Sequence, residues 1–214
     1  MGEDIRYELL YFDLRARAEP IRLLLSYAGQ QFKDSVVSRD AWPGVKNAMP
    51  LGQIPVLWEH ADRGDLRTPQ SMAILRHLAR THGLYGQTER EHTLCDIVAD
   101  TVADARARFA NMAYFPNYRK DETVNARYRE QDLPVAIERL ERLLRNSLAP
   151  AAGYFVTAVP TWADFVAFDF LDCQTQLWPG CLEGAPSLEG FVERIMALPS
   201  LKAYFAERRP SDFR

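Results

Sequence analysis

A tyrosine, a serine at a helix start, a proline at a strand start and a row of aspartates are the residues here whose placement suggests chemistry. Tyr11 closes an aromatic, β-prone run, Tyr7-Glu-Leu-Leu-Tyr-Phe12, just before the polar stretch Leu14-Arg-Ala-Arg17. Its ring can therefore pack inside while its hydroxyl emerges at a cleft, although most tyrosines so placed serve only a core or an interface. Gln70-Ser71 opens a helix directly after a strand. Unpaired backbone N–H groups and the serine hydroxyl there either cap the helix or hold a carboxylate. Ile54-Pro55 stands at a strand start, where proline either takes a cis bond, presenting Ile54's backbone to an extended ligand, or merely withholds a ladder hydrogen bond. Asp96, Asp100 and Asp104 recur every four residues on one helical stripe, at a cost of about 0.2–0.5 kcal/mol per like-charged pair. They are either solvated carboxylates beside Arg106 and Arg108 or partners for a polar interface or a ligand's ammonium group. Thr161-Trp-Ala-Asp164 is a capping box with aspartate in place of glutamate, and it should nucleate a helix.

Other chemistries lack their signatures. His60, His77, His82 and His92 show no metal-ligand spacing with Cys95, Cys173 and Cys181, so no metal is expected. The three cysteines are odd in number, widely spaced and without a CxxC pair, which favours reduced thiols. Walker A, the dinucleotide glycine fingerprint and the GxSxG elbow are all missing.

Two kinds of element must position these residues. The first third mixes periodicities: a strand at 7–12, a helix from Pro20 to Gly29 carrying Ile21, Leu24, Leu25 and Ala28, and a strand at 31–37. An irregular stretch holding Trp42, Pro43, Gly44, Pro50 and Gly52 follows, then strands at 54–59 and 66–68 around Gly64-Asp65, and a helix from Gln70 to Gly83. From Glu89 onward only helical stripes recur, at 94–112, 133–148, 161–176 and 188–197. Leu94, Ile97, Val98, Val102 and Phe109 form the apolar face of the first of these and are read as core. The expected organisation is an α/β domain over 1–86 and an all-helical domain over 87–214, with Leu84-Tyr-Gly-Gln-Thr88 as linker.

Composition narrows the function further. The 214 residues are 47% apolar and 26% charged, with 26 Lys and Arg against 29 Asp and Glu, a net charge of −3. That balance offers no basic field for nucleic acid. No apolar run reaches the roughly 18 residues a membrane span needs. The first residues lack the basic-then-apolar layout of a signal peptide, so an uncleaved cytoplasmic protein is expected.

Tyr11, Leu14-Arg-Ala-Arg17, Trp42, Lys46, Gly52-Gln-Ile-Pro55, Gln70-Ser71, Asp104 and Thr161-Trp-Ala-Asp164, in this order and spacing, resemble the cytosolic glutathione transferases. The branch is similar to the pi, sigma and mu classes. Ile74-Leu-Arg-His-Leu78, Gly83-Leu-Tyr-Gly86 and Pro179-Gly-Cys-Leu182 look pi-like, whereas Ala41-Trp-Pro43, Pro160-Thr-Trp-Ala-Asp-Phe165 and Arg208-Arg-Pro210 look sigma-like. The resemblance implies a thioredoxin-like domain followed by an α-helical one, a homodimer, and glutathione as co-substrate without a metal. It makes Tyr11 the hydrogen-bond donor that stabilises the glutathione thiolate. Phe12, Arg17, Trp42, Lys46, Gln53, Ile54, Pro55, Gln70 and Ser71 become the glutathione shell. Asp104 would come from the partner subunit to meet the γ-glutamyl ammonium, and Leu14, Phe109 and Tyr114 would wall the pocket for a small hydrophobic electrophile.

Three positions depart from that pattern. Leu51 replaces the aromatic key that locks pi and mu dimers, which suggests a flatter, sigma-like interface. Met49 stands where pi enzymes have a reactive cysteine, and Thr157 replaces the glycine that precedes the capping box. The expected activity is conjugation of glutathione to small apolar electrophiles. The alternatives are a sigma-like glutathione-dependent isomerase of a prostaglandin endoperoxide or other lipid, and a non-catalytic binder of hydrophobic ligands.

Overall fold

A computed structural model describes residues 6–60, 64–113 and 121–210. The chain divides into two compact units, 1–84 with 197–214, and 85–196.

In the first unit, β1 (Tyr7–Tyr11), α1 (Glu19–Tyr27) and β2 (Phe32–Val36) form a βαβ crossover, with β1 and β2 parallel. Gly29, at φ +66°, turns the chain out of α1, and its N–H donates to the Ser26 carbonyl at 3.1 Å. β3 (Val56–Glu59) pairs antiparallel with β1, β4 (Leu66–Pro69) pairs antiparallel with β3, and the sheet order is β2-β1-β3-β4. β1 is thus an interior strand. Its alternation buries Tyr7, Leu9 and Tyr11 on one face. The apolar stripes of α1 (Ile21, Leu24, Leu25) and α3 (Ser71–Thr81; Ile74, Leu75, Leu78) are buried too, and these two helices pack together. This βαβ–ββα unit is the thioredoxin-like arrangement the resemblance implies.

The stretch expected to be irregular contains a four-residue helix, α2 (Trp42–Val45), followed by a 3-10 turn at Lys46–Ala48. Pro43 presets the backbone for the first turn of α2, and Ser38 Oγ accepts from the Ala41 N–H at 3.1 Å just ahead of it.

The second unit carries α4 (Glu89–Ala113), α5 (Glu122–Arg127), a π-helical turn (Tyr128–Asp132), α6 (Leu133–Arg145), α7 (Trp162–Leu177) and α8 (Pro186–Met196). α7 is buried on nearly every side and packs on α4 and α8, as an apolar helix must. The capping box forms at its start: both oxygens of Asp164 are used, Oδ1 accepting from Phe155 N–H at 2.8 Å and Oδ2 from Thr161 N–H at 2.7 Å. Thr157 holds the preceding turn by donating its hydroxyl to the Val159 carbonyl at 2.7 Å. One core assignment fails. Ile97 is 43% exposed, because the buried stripe of α4 runs through Val98, Val102 and Phe109 and turns Ile97 outward.

The end of the chain departs from the expected boundary. Residues 197–214 group with the first unit, and within them α9 (Lys202–Glu207) leads into Arg208 and Arg209. Their ion pairs with Glu19, Asp13 and Asp34 supply the physical reason.

Beneath α3, Glu59 at the end of β3 ties three elements together. It accepts from Arg6 and pairs with His77 Nε2 of α3 at 2.7 Å. Burial alone would raise this carboxyl's pKa, but the hydrogen bonds from Arg6 and His77 outweigh it and hold the pKa below its ordinary value. A carboxylate with a lowered folded pKa contributes stability above its unfolded pKa of about 4.3 and loses it as pH falls through the folded value. Glu59→Gln should therefore cost about 1.5–3 kcal/mol at pH 7. Urea unfolding of both proteins at pH 7 and below about pH 4 checks this, because the gap should close on the acid side.

Candidate functional site

β1 ends at Tyr11, which precedes the cavity-lining Phe12 and is not itself among the lining residues. Tyr11 is 7% exposed, and its ring lies 5.8 Å from that of Phe12. Phe12 in turn meets the Trp42 indole edge-on at 5.7 Å. These contacts link the end of an interior strand to α2 through three aromatic rings.

Phe12 and Trp42 line one wall of a cavity of about 550 Å³, whose other lining residues are Arg17, Lys46, Gly52, Gln53, Ile54, Pro55, Gln70 and Ser71. Residues drawn from four separate stretches of sequence therefore converge on one space. The bond between Ile54 and Pro55 is cis, one of the two readings the sequence allows for that proline. Gln53 Oε1 accepts from Gln70 Nε2 at 3.5 Å, joining the loop before β3 to the start of α3.

The head of α3 has an unusual backbone. Gln70, its N-cap residue, sits at φ +70° and ψ 107°, a conformation that a non-glycine residue adopts only at a cost of order 1–3 kcal/mol. Its side chain makes no capping hydrogen bond to the helix. The N–H groups of the first turn lack carbonyl partners within α3, so this end is polar, partly positive and turned to the cavity through Ser71.

Charge reinforces that polarity. Among the described residues, Arg17 and Lys46 are the charged members of the lining, which includes no carboxylate. The charged side chains on the described lining are thus all cationic. Gly52, which the sequence reading left without a role, stands at φ +58°, and the Lys46 side chain passes 3.6 Å from where a Cβ would be. The space would accept that Cβ; the backbone angle is what favours glycine. A glycine between Leu51 and Gln53 in a proline-bounded loop is the signal that could have marked it.

The other expected residues lie elsewhere. Leu14 is half-buried in the loop after β1, where its N–H reaches back to the Phe12 carbonyl at 2.7 Å. Phe109 is buried in α4 against Tyr128 at 5.6 Å and Trp178 at 6.4 Å, an aromatic cluster within the second unit. Asp104 is exposed on α4, while Asp96 on the same stripe accepts the Tyr85 hydroxyl at 2.9 Å. Tyr114 lies outside the described residues. Leu51 is 57% exposed.

Burial disfavours the thiolate at two of the three cysteines. Burial pushes Cys95 up to about 12 and Cys181 up to about 11, so both are protonated thiols at neutral pH. Among the described residues, no group of three or more His, Cys, Asp or Glu side chains gathers to hold a metal ion, and no helix is long and apolar enough to cross a membrane.

Comparison with known proteins bears on the chain as a whole. Residues 7–80 match the family "Glutathione S-transferase, N-terminal domain" and residues 103–208 match "Glutathione S-transferase, C-terminal domain". The chain is 38% identical over 204 residues to Glutathione S-transferase P 1 of Bufo bufo, an alignment covering 94% of this chain and 91% of that one. Among solved structures, the pi-class glutathione S-transferase of Onchocerca volvulus superposes with a TM-score of 0.87 at 33% identity, covering 95% of this chain and 93% of that one. Prostaglandin synthase D of Nilaparvata lugens superposes with a TM-score of 0.82 at 27% identity, covering 96% and 98%. With near full-length identity well above 30% and both domain families matched in order, the chain belongs to the glutathione S-transferases.

Proposed function

We propose that the cavity binds glutathione and that Tyr11 activates its thiol for addition to small hydrophobic electrophiles in the cytoplasm. The convergence of Phe12, Arg17, Trp42, Lys46, Gln53, Ile54, Pro55, Gln70 and Ser71 on one space carries this reading. Glutathione is a tripeptide with two carboxylates and one ammonium group, and the cavity offers partners for the two carboxylates. The open first turn of α3 and Ser71 receive the γ-glutamyl carboxylate. Trp42 and Lys46 hold the glycyl end, with Arg17 adding positive charge. Ile54's backbone, just ahead of β3, pairs with the cysteinyl backbone as an added strand.

The Tyr11 hydroxyl donates to the cysteinyl sulfur. A two-unit fall in thiol pKa needs about 2.7 kcal/mol of preference for the thiolate, and a hydrogen bond to a charged acceptor supplies about 1.5–3 kcal/mol. The rest of the acceleration comes from holding the thiolate beside the electrophile, against apolar surface that includes Phe12 and Leu14. Asp104, exposed on α4, serves the γ-glutamyl ammonium of the other subunit in a homodimer. The likeness to Nilaparvata lugens prostaglandin synthase D supports a second reading, in which the same thiolate isomerises a lipid endoperoxide. Product analysis with a prostaglandin endoperoxide separates it from conjugation. A non-catalytic binder would retain apolar ligands while turning over neither substrate.

Conjugation of glutathione to a chloronitrobenzene tests the proposal directly. Tyr11→Phe should lower the rate at neutral pH about 10- to 100-fold and shift the rising limb of the pH–rate profile upward, with glutathione still bound. Equal rates in wild type and variant would remove Tyr11 from the mechanism. Lys46→Ala should raise the KM for glutathione about 5- to 30-fold and leave kcat nearly unchanged, as removal of uniform binding does. Purified dimers pairing one Tyr11→Phe subunit with one Asp104→Ala subunit should regain native kinetics at one site, because that site takes Tyr11 from one subunit and Asp104 from the other. Activity in the mixed dimer equal to the mean of the two homodimers would refute the shared site.

A further inference from the structure

We propose that Arg208 and Arg209, near the end of the chain, are positioning residues for glutathione: they clamp the loop 12–18 that forms one wall of the cavity. The inference rests on the assignment of that cavity to glutathione. The loop leaves β1 at Tyr11 and carries two lining residues, Phe12 and Arg17. Between them Ala16 sits at φ +31°, an angle that an L-residue holds only when its surroundings impose it.

Those surroundings are a cluster of charges drawn from distant parts of the sequence. Glu19 is fully buried and receives Arg15 Nε at 3.8 Å, Arg22 Nη1 at 3.4 Å and Arg208 Nε. Arg22, itself buried, donates from Nη1 to the Leu14 carbonyl at 2.8 Å and from Nε to Asp34 Oδ2 of β2 at 2.9 Å. Arg209 then closes the cluster from outside, donating from Nε to Asp13 Oδ1 at 2.7 Å and from Nη1 to Asp34. The loop is therefore held at a side chain, Asp13, and at a backbone carbonyl, Leu14. Arg209 bridges Asp13 to β2, and Arg208 completes the shell around the carboxylate that orients Arg22. Neither arginine lines the cavity; each acts through the loop that does.

The test uses the full-length protein carrying Arg209→Gln, Arg209→Lys, Asp13→Asn or the pair Asp13→Asn with Arg209→Gln. Arg209→Gln should weaken glutathione binding, read by calorimetry, about 5- to 20-fold, since small displacements of positioning groups are costly. Amide exchange over 12–18 should rise in the same variant, and Arg209→Lys should recover part of both. The double variant should be no worse than Arg209→Gln, because Arg209→Gln already breaks the contact with Asp13 along with that to Asp34. A lowered Tm with unchanged glutathione affinity and unchanged loop exchange would reduce the clamp to a structural tie and overturn the proposal, and so would independent, multiplying effects of the two changes. Should Arg209→Gln fail to fold, Asp13→Asn on the exposed loop decides: faster loop exchange with weaker binding supports the clamp, and no change in either refutes it. Failure of the wild type to bind glutathione is a different result, since it removes the assignment of the cavity itself.

Discussion

A carboxylate without access to water is the constraint on which the first unit's working end depends. Glu19 begins α1, and burying its charge is tolerable only with cations and hydrogen bonds around it. Arg15 and Arg22 supply these from four residues before and three residues after it, and Arg208 supplies one from near the far end of the sequence. Removing one partner from such a buried group strands the others, at about 3–5 kcal/mol. The loop that follows Tyr11 is consequently fixed by electrostatics on one side and by the Phe12–Trp42 ring contact on the other. That double fixing lets a loop, the least ordered kind of element, serve as a binding wall.

The cavity divides its labour between backbone and side chain. Side-chain cations, Arg17 and Lys46, are long and carry rotamer entropy that binding must overcome. The first-turn amides of α3 carry none, because the helix has already fixed them. Their readiness has a cost, met by the positive φ of Gln70 and by the absence of a side-chain cap that would otherwise satisfy these donors. For the proposed glutathione ligand, rigid donors at one end and adaptable cations at the other would hold the charged ends while leaving the sulfur free.

Much of this was legible in the sequence, for reasons that differ by residue. The strand ending at Tyr11, the helix opening at Ser71 and the capping box at Thr161 are local patterns, set by alternation, helical spacing and a four-residue motif, and each appears within a residue or two of its expected place. The gathering of the cavity's lining residues is non-local, and it was readable only through the order of motifs in a known family. Three features had no local signature. Gln70 and Ala16 take positive φ where neither residue type predicts it. α2 is too short for periodicity to register. The segment 197–214 reads as the end of the 87–214 domain, since nothing in Arg208-Arg209 announces that its partners lie at Asp13, Glu19 and Asp34.

The thiol chemistry explains a further economy of the chain. A thiolate nucleophile needs a lowered pKa, and burial does the reverse, as it does at Cys95 and Cys181. The first unit, which carries Tyr11, has no cysteine of its own. A protein that brings its sulfur in on a bound tripeptide avoids that conflict. It needs only a donor that prefers the thiolate and a cavity that fixes the peptide's charged ends. On this view the residues that hold glutathione also set where the sulfur lies relative to Tyr11, so binding and activation share one geometry.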